Sequence, residues 1–282
     1  MMNADAPIIN ALMQYANHPD KDIDLGALAL AMVAPDHKGR PVDRYLRHFQ
    51  KISDEVSGRY DALISDGAAD DAGVRLAALK YALSDVYDYR VDEAHYEMLE
   101  SADIMRVVDR SKGCPNALCL LYMDAARKAG WLVEGVNFPN LFLCRLEHEG
   151  VRIIFDPSQQ CKILEAHDLR GIVKDALGDG AELSTDYFDG LDARESVIHL
   201  CNHLKHRRIA MGDYASALNM ILRMRMISPD EYRLLLDAGV LYARLGNVPE
   251  AIECLNEYIE RAPNHYDRQE ARLLLDELFS DL

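Results

Sequence analysis

Cys114 stands directly before Pro115 and a stretch, Asn116 to Lys128, that reads as a helix closed by Gly130. Proline suits a first helical position, where its missing N–H would have had no partner. A thiol at such a helix head meets the positive end of the dipole, which favours the thiolate. Thiolate chemistry also needs an imidazole within hydrogen-bond reach. His199, His203 and His206 fall at i, i+4 and i+7 on one predicted helix face. Two histidines at i, i+4 can chelate zinc. No carboxylate or thiol is placed to complete the shell, because Cys201 is turned about 200° from His199. No metal is therefore expected. Neither a GxGxxG nor a GxxxxGK[ST] motif occurs, so no nucleotide or other cofactor is expected either.

Composition narrows the partner classes. The 282 residues suffice for two modest domains, and 49% of them are hydrophobic, enough for a sizeable core. With 47 acidic against 31 basic residues the formal charge is −16. A phosphate backbone is repelled by such a surface, which argues against nucleic acid as the partner. The six cysteines, Cys114, Cys119, Cys144, Cys161, Cys201 and Cys254, form no CxxC pair, as reduced buried thiols would not. The N-terminus has no basic n-region, and the longest apolar run, Leu25 to Ala34, is far short of a membrane span. These features predict a cytoplasmic protein with no membrane partner.

The elements that would position any chemistry fall into three stretches. Residues 1–75 read as helical. Ile8, Ile9, Leu12 and Met13 share one face, Leu25–Val33 is an apolar helix stopped by Pro35, and Tyr45, Leu46, Phe49, Ile52 and Val56 mark a third run. A loop spans 65–73. Beyond Lys128, Leu132–Phe138 is a β-rich run, and Leu141–Glu147 and Val151–Phe155 flank a hairpin signal at His148-Glu149-Gly150. The last third repeats. Gly212 and Gly246, Ala217 and Ala251, Leu218 and Ile252, and Pro229 and Pro263 are each separated by the same interval, which is the tetratricopeptide period. Gly239 and Ala251 are small where paired helices must approach, and Gly246 suits a left-handed helix end. Lys205 and Arg208 depart from the pattern in the first copy. A final helix, about 266–279, carries Ala271, Leu274, Leu275 and Leu278 on one stripe.

The segments VVDRSKGCPNALCLLYMDAARKAGWLVEGVNFPNLFLCRL and VRIIFDPSQQCKIL, with LKYALSDVYDYR upstream, resemble the SirB-type transglutaminase-like family. Its members fuse a papain-like domain to C-terminal tetratricopeptide repeats. The resemblance implies an α+β fold: a helical N-terminal part (1–78), a degenerate transglutaminase-like domain (79–190), and an all-α repeat region with a capping helix (191–282). The helical part and the middle domain are expected to form one unit. The resemblance also implies where a Cys–His–Asp triad would lie. The nucleophile position falls at Pro115, the histidine position at Leu141, and the acid position at Asp156. Proline holds no nucleophile and leucine takes no proton, so Asp156 is read as a vestigial acid serving a turn ahead of Pro157. Cys114 is a shifted alternative nucleophile, but one helical residue turns a side chain by about 100°. The next imidazole, His148, lies about 23 Å past Leu141 along the strand.

In the repeat fold the first helix of each pair lines a concave groove. By position, His199, Asn202, His206, Arg233, Leu236, Val240 and Arg244 would face it. The resulting expectation is a non-catalytic adaptor or regulator that binds a protein or peptide segment, acidic because the groove is partly cationic. The alternative is a cysteine hydrolase or transferase using Cys114.

Overall fold

In the computed structural model, which describes residues 6–280, the chain divides into two units. Pro19–Leu200 forms one, and the described residues up to His18 join those from Cys201 onward in the other. Helix α1 (Ala6–Tyr15) therefore belongs with the C-terminal helices, where it packs against α10 and buries Leu12. The sequence reading grouped it with the middle domain. Met13 is exposed, against that reading; the side chain of Ile8 lies outside the described residues.

In the Pro19–Leu200 unit, α2 (Leu25–Val33) is capped by Asp24, whose carboxylate accepts from Ala27 N at 2.8 Å. Helix α3 (Asp43–Ser65) buries Tyr45, Phe49, Ile52 and Val56 along one stripe. Helix α4 (Ala72–Lys80) is capped by Asp71 and runs on into a π-helical turn, Tyr81–Val86. Strand β1 (Arg90–Val91), α5 (Leu99–Ala102), α6 (Ile104–Arg110) and β2 (Lys112–Gly113) follow, with β1 and β2 paired in parallel. Helix α7 (Pro115–Lys128) begins at the proline and is buried on every residue from Pro115 to Ala126. It lies between α2 and α3 on one side and the sheet on the other. Each fully buried leucine there contributes about 1.5–3 kcal/mol.

Gly130, with φ +77, turns the chain into β3 (Leu132–Phe138), which pairs antiparallel with β4 (Leu141–His148). Glu149 and Gly150 both take positive φ in the turn to β5 (Val151–Asp156), the geometry of a tight two-residue hairpin. With β6 (Lys162–Ile163) and β7 (Gly190–Leu191) the sheet order is β6-β5-β4-β3-β7. Helix α8 (Ala166–Leu177) covers the face opposite α7 through Leu169 and Val173. Helix α9 (Ala193–Ala210) leads onward.

The second unit contains α10 (Tyr214–Ile227), α11 (Arg233–Arg244), α12 (Val248–Arg261) and α13 (His265–Ser280). Gly212 and Gly246 share φ +76 at equivalent helix ends. A Cβ on Gly239 would lie 2.8 Å from Leu255 Cγ, so the α11–α12 pair closes only because that position is glycine. The two irregular residues of the first copy are accommodated as long buried cations. Lys205 donates to Asp237, and Arg208 donates to Ser216 O at 2.9 Å. The protein is thus α+β, a papain-like layer of helix on sheet with C-terminal helical repeats.

Candidate functional site

The head of α7 is where a papain-like nucleophile would sit. Pro115 is its first residue, and Cys114 is the N-cap, with an extended backbone and its N–H donating to Ser101 O at 2.6 Å. The Cys114 side chain is only 1% exposed. A thiol so enclosed meets no electrophile unless the packing opens.

Of the positions carried over for the other triad members, Leu141 faces away from α7, whereas Asp156 lies close enough for its charge to act on Cys119, one turn into that helix. Leu141 packs into a cluster with Phe138, Leu143, Leu169 and Val173, on the α8 side of the sheet. Side chains alternate along a strand, so the β4 residues facing α7 are Phe142 and Cys144 instead. Cys144 Sγ lies 3.7 Å from Cys119 O, and Cys119 Sγ donates to Phe142 O at 3.2 Å. Asp156 is 1% exposed and accepts from Ser158 N and Gln159 Nε2, each at 2.8 Å, and from the Ser158 hydroxyl. Its bonds close the turn at Pro157.

All six cysteines are buried and none forms a disulfide. Burial raises the Cys119 thiol well above its ordinary value, and it pushes Cys161 up to about 12. Neither thiol supplies a thiolate at neutral pH.

His199 lies beside this helix head, a placement that periodicity did not reveal. Asn116, the second residue of α7, donates from Nδ2 to His199 Nδ1 at 2.7 Å. The ring then carries its proton on Nε2, which lies 3.2 Å from Asn137 Oδ1. The imidazole also stacks on Phe142, with ring centroids 4.7 Å apart. Burial lowers its pKa, so the ring is neutral at physiological pH. The sequence reading placed His199 on the repeat groove; it bonds instead within the papain-like unit. The signal that could have found it is an asparagine directly after the helix-heading proline and another at the end of β3.

The remaining groove candidates lie on the repeat unit. Val240 and Arg244 line a cavity of about 250 Å³ with Gly239, Ala243, Leu255, Leu274, Glu277 and Leu278. Leu236 packs against the cluster around Leu235 and Tyr258. The Arg233 side chain is 74% exposed; it lies 3.8 Å from Glu231 and stacks over Tyr232. Arg244 stacks over Tyr214. Asn202 is half-buried and His206 exposed on α9. The His206 pKa is lowered by burial and then by Lys205, with Asp237 opposing. Among the described residues no cluster of three or more His, Cys, Asp or Glu could hold a metal ion. No described helix is long and apolar enough to cross a membrane.

Helix α7 packed on an antiparallel sheet, followed by paired helices with glycine-ended turns, defines a transglutaminase-like domain joined to tetratricopeptide repeats. Comparison with known proteins agrees, and the chain belongs to the Transglutaminase-like superfamily, which residues 43–202 match. Residues 204–276 match the tetratricopeptide repeat. A UPF0162 protein of Xylella fastidiosa is 23% identical over 197 residues, covering 69% of this chain and 70% of the relative. A UPF0162 protein of Vibrio cholerae is 27% identical over 172 residues, covering 61% and 63%. F-box only protein 21 of mouse is 27% identical over 199 residues, covering 64% of this chain and 30% of the longer protein.

Proposed function

We propose that this protein is a non-catalytic, cytoplasmic adaptor or regulator that binds a segment of another protein through its repeats. The observation that carries this reading is the head of α7. Proline stands at the position carried over for the nucleophile, the adjacent Cys114 is enclosed, and the His199 imidazole held by Asn116 also meets Asn137. Thiol catalysis needs a thiolate within reach of an imidazole and open to substrate. Cys114 is not open to substrate, which argues against a Cys114 hydrolase or transferase.

Repeat helices commonly present a concave surface to extended or helical segments. The cavity beside Val240 takes an aliphatic side chain, and Arg244 in its wall, alongside Glu277, and the exposed Arg233 at the other end of α11 pair with carboxylates of the segment. The partner is accordingly an acidic segment with an apolar anchor. Because burial and then Lys205 lower the pKa of His206, protonation of that ring strengthens such binding only below the ordinary imidazole range.

The test is a titration of a fluorescent peptide carrying one leucine among glutamates. Binding to the full chain should weaken roughly tenfold in Arg233→Glu/Arg244→Glu and in Val240→Glu. Equal affinity for all three proteins would refute the groove reading.

A further inference from the structure

The start of α3 breaks the charge pattern of the chain. Between residues 37 and 51 stand Lys38, Arg40, Arg44, Arg47 and Lys51 against Asp43 alone, in a protein whose formal charge is −16. On the helix, Arg44, Arg47, His48 and Lys51 fall at i, i+3, i+4 and i+7, so they share one face. Tyr45, Phe49 and Ile52 anchor the neighbouring face in the core, which fixes the rotation of the helix. Arg44, Arg47 and Lys51 are exposed. Among the described residues, Lys38, Arg47 and Lys51 have no ion-pair partner.

We propose that this basic face is a second docking surface, carried by the papain-like unit, for a short acidic segment of a partner protein. It already holds one carboxylate. Asp109 on α6 accepts from Arg40 Nη1 at 2.8 Å and from Arg44, and the Tyr45 hydroxyl lies 3.2 Å from both of its oxygens. That arrangement shows the side chains gathering around a carboxylate with a buried tyrosine beneath them. Asp109 answers only two of the cations. Arg47 and Lys51, one and two turns further along, are left for an incoming chain.

The same charges set the length and class of the occupant. From Arg44 to Lys51 the stripe runs about 10 Å. Past it stand Asp54 and Glu55, which with Lys51, Gly58 and Tyr87 line a polar recess. A long polyanion such as duplex nucleic acid would run off the stripe onto these acids. A peptide with two or three carboxylates would not. His48 adds little charge at neutral pH, because burial and then Lys51 hold its pKa below the ordinary value, and it bonds to Tyr89 Oη at 2.8 Å. Attraction therefore rests on the arginines and lysine, and it is screened by salt.

This proposal adds a second surface to the protein-binding reading, and the experiment removes the groove from play. The full chain carrying Arg233→Glu/Arg244→Glu is titrated with a fluorescent peptide of about ten Glu, Asp and Ser residues at low and high salt. Adding Arg44→Glu/Arg47→Glu/Lys51→Glu should weaken binding at least about tenfold, and Arg47→Gln/Lys51→Gln should weaken it by an intermediate factor. Reversal of the exposed Arg272 on α13 should change nothing. Thermal melts confirm that each variant is folded. The proposal is overturned if the peptide does not bind, if Arg272→Glu weakens it equally, or if duplex DNA competes for the same residues more tightly than the peptide.

Discussion

Asn116 Nδ2 lies 2.7 Å from His199 Nδ1, joining the first turn of α7 to a helix 83 positions later in the chain. The ring accepts at Nδ1 and points its Nε2–H at Asn137, so the Asn116 contact requires the neutral imidazole while the Asn137 contact suits either state. A protonated ring would present N–H to N–H at Asn116 unless that amide turned over.

This geometry predicts a pH dependence with a defined sign. The His199 pKa is lowered on folding, so as pH falls below about 6.5 the unfolded chain takes up a proton first. Stability is fully present above that value and is lost as pH falls toward the folded pKa. His48 and His206 shift in the same direction and add to the slope. The urea midpoint should drop between about pH 7.5 and about pH 5.5, and His199→Gln should lessen the drop. An identical drop in the variant would show that His199 is not a contributor.

Asp156→Asn probes the position carried over for the acid. Its carboxylate serves Ser158 and Gln159, so the loss should be about 1–2 kcal/mol, the worth of a cap or a charged hydrogen bond. Peptide affinity should be unchanged. A folded Asp156→Asn protein that no longer binds peptide would assign the acid a role beyond its turn.

Gly26→Ala tests the packing that holds α2 onto α7. A Cβ there would meet Phe49 Cδ2 at 2.6 Å and Asp124 Oδ2 at 2.9 Å. Gly26 N also donates to Asp124 Oδ1 at 2.8 Å, so the backbone cannot retreat without breaking that bond. The variant should lose about 1–3 kcal/mol, read as a lower denaturant midpoint at constant m. A neutral substitution would mean that Phe49 moves aside freely.

The cysteines make a separate prediction. All six are buried, so the native protein should react slowly with a thiol reagent and the unfolded protein should expose all six. Peptide mapping after brief native labelling is the measurement. Selective rapid labelling of Cys114 would argue for an accessible, activated thiol.

Much of the fold was legible in local patterns. Pro115 and Gly130 bracket α7, the β3 to β5 hairpins follow apolar runs and turn residues, and the paired glycines at Gly212 and Gly246 mark the repeat. Less of the candidate site could be read this way, because its relationships are long-range. Helical spacing gave His199 a face but not a partner, and the desolvation that lowers its pKa depends on Phe142 and Asn137 arriving from the sheet. The strand face of Leu141 depends on alternation counted from its neighbours, and it points into the α8 cluster rather than toward α7. The placement of α1 against α10 is a contest between two apolar surfaces, and periodicity does not decide such contests.

The most direct test of the central claim asks whether binding occurs without chemistry. The full chain is incubated with the leucine-containing acidic peptide for several hours, and the intact masses of both are then recorded alongside the affinity. A non-catalytic adaptor leaves both masses unchanged and loses affinity roughly tenfold in Arg233→Glu/Arg244→Glu, while Cys114→Ala binds like the parent protein. A covalent adduct or a cleaved peptide that disappears in Cys114→Ala would contradict the account.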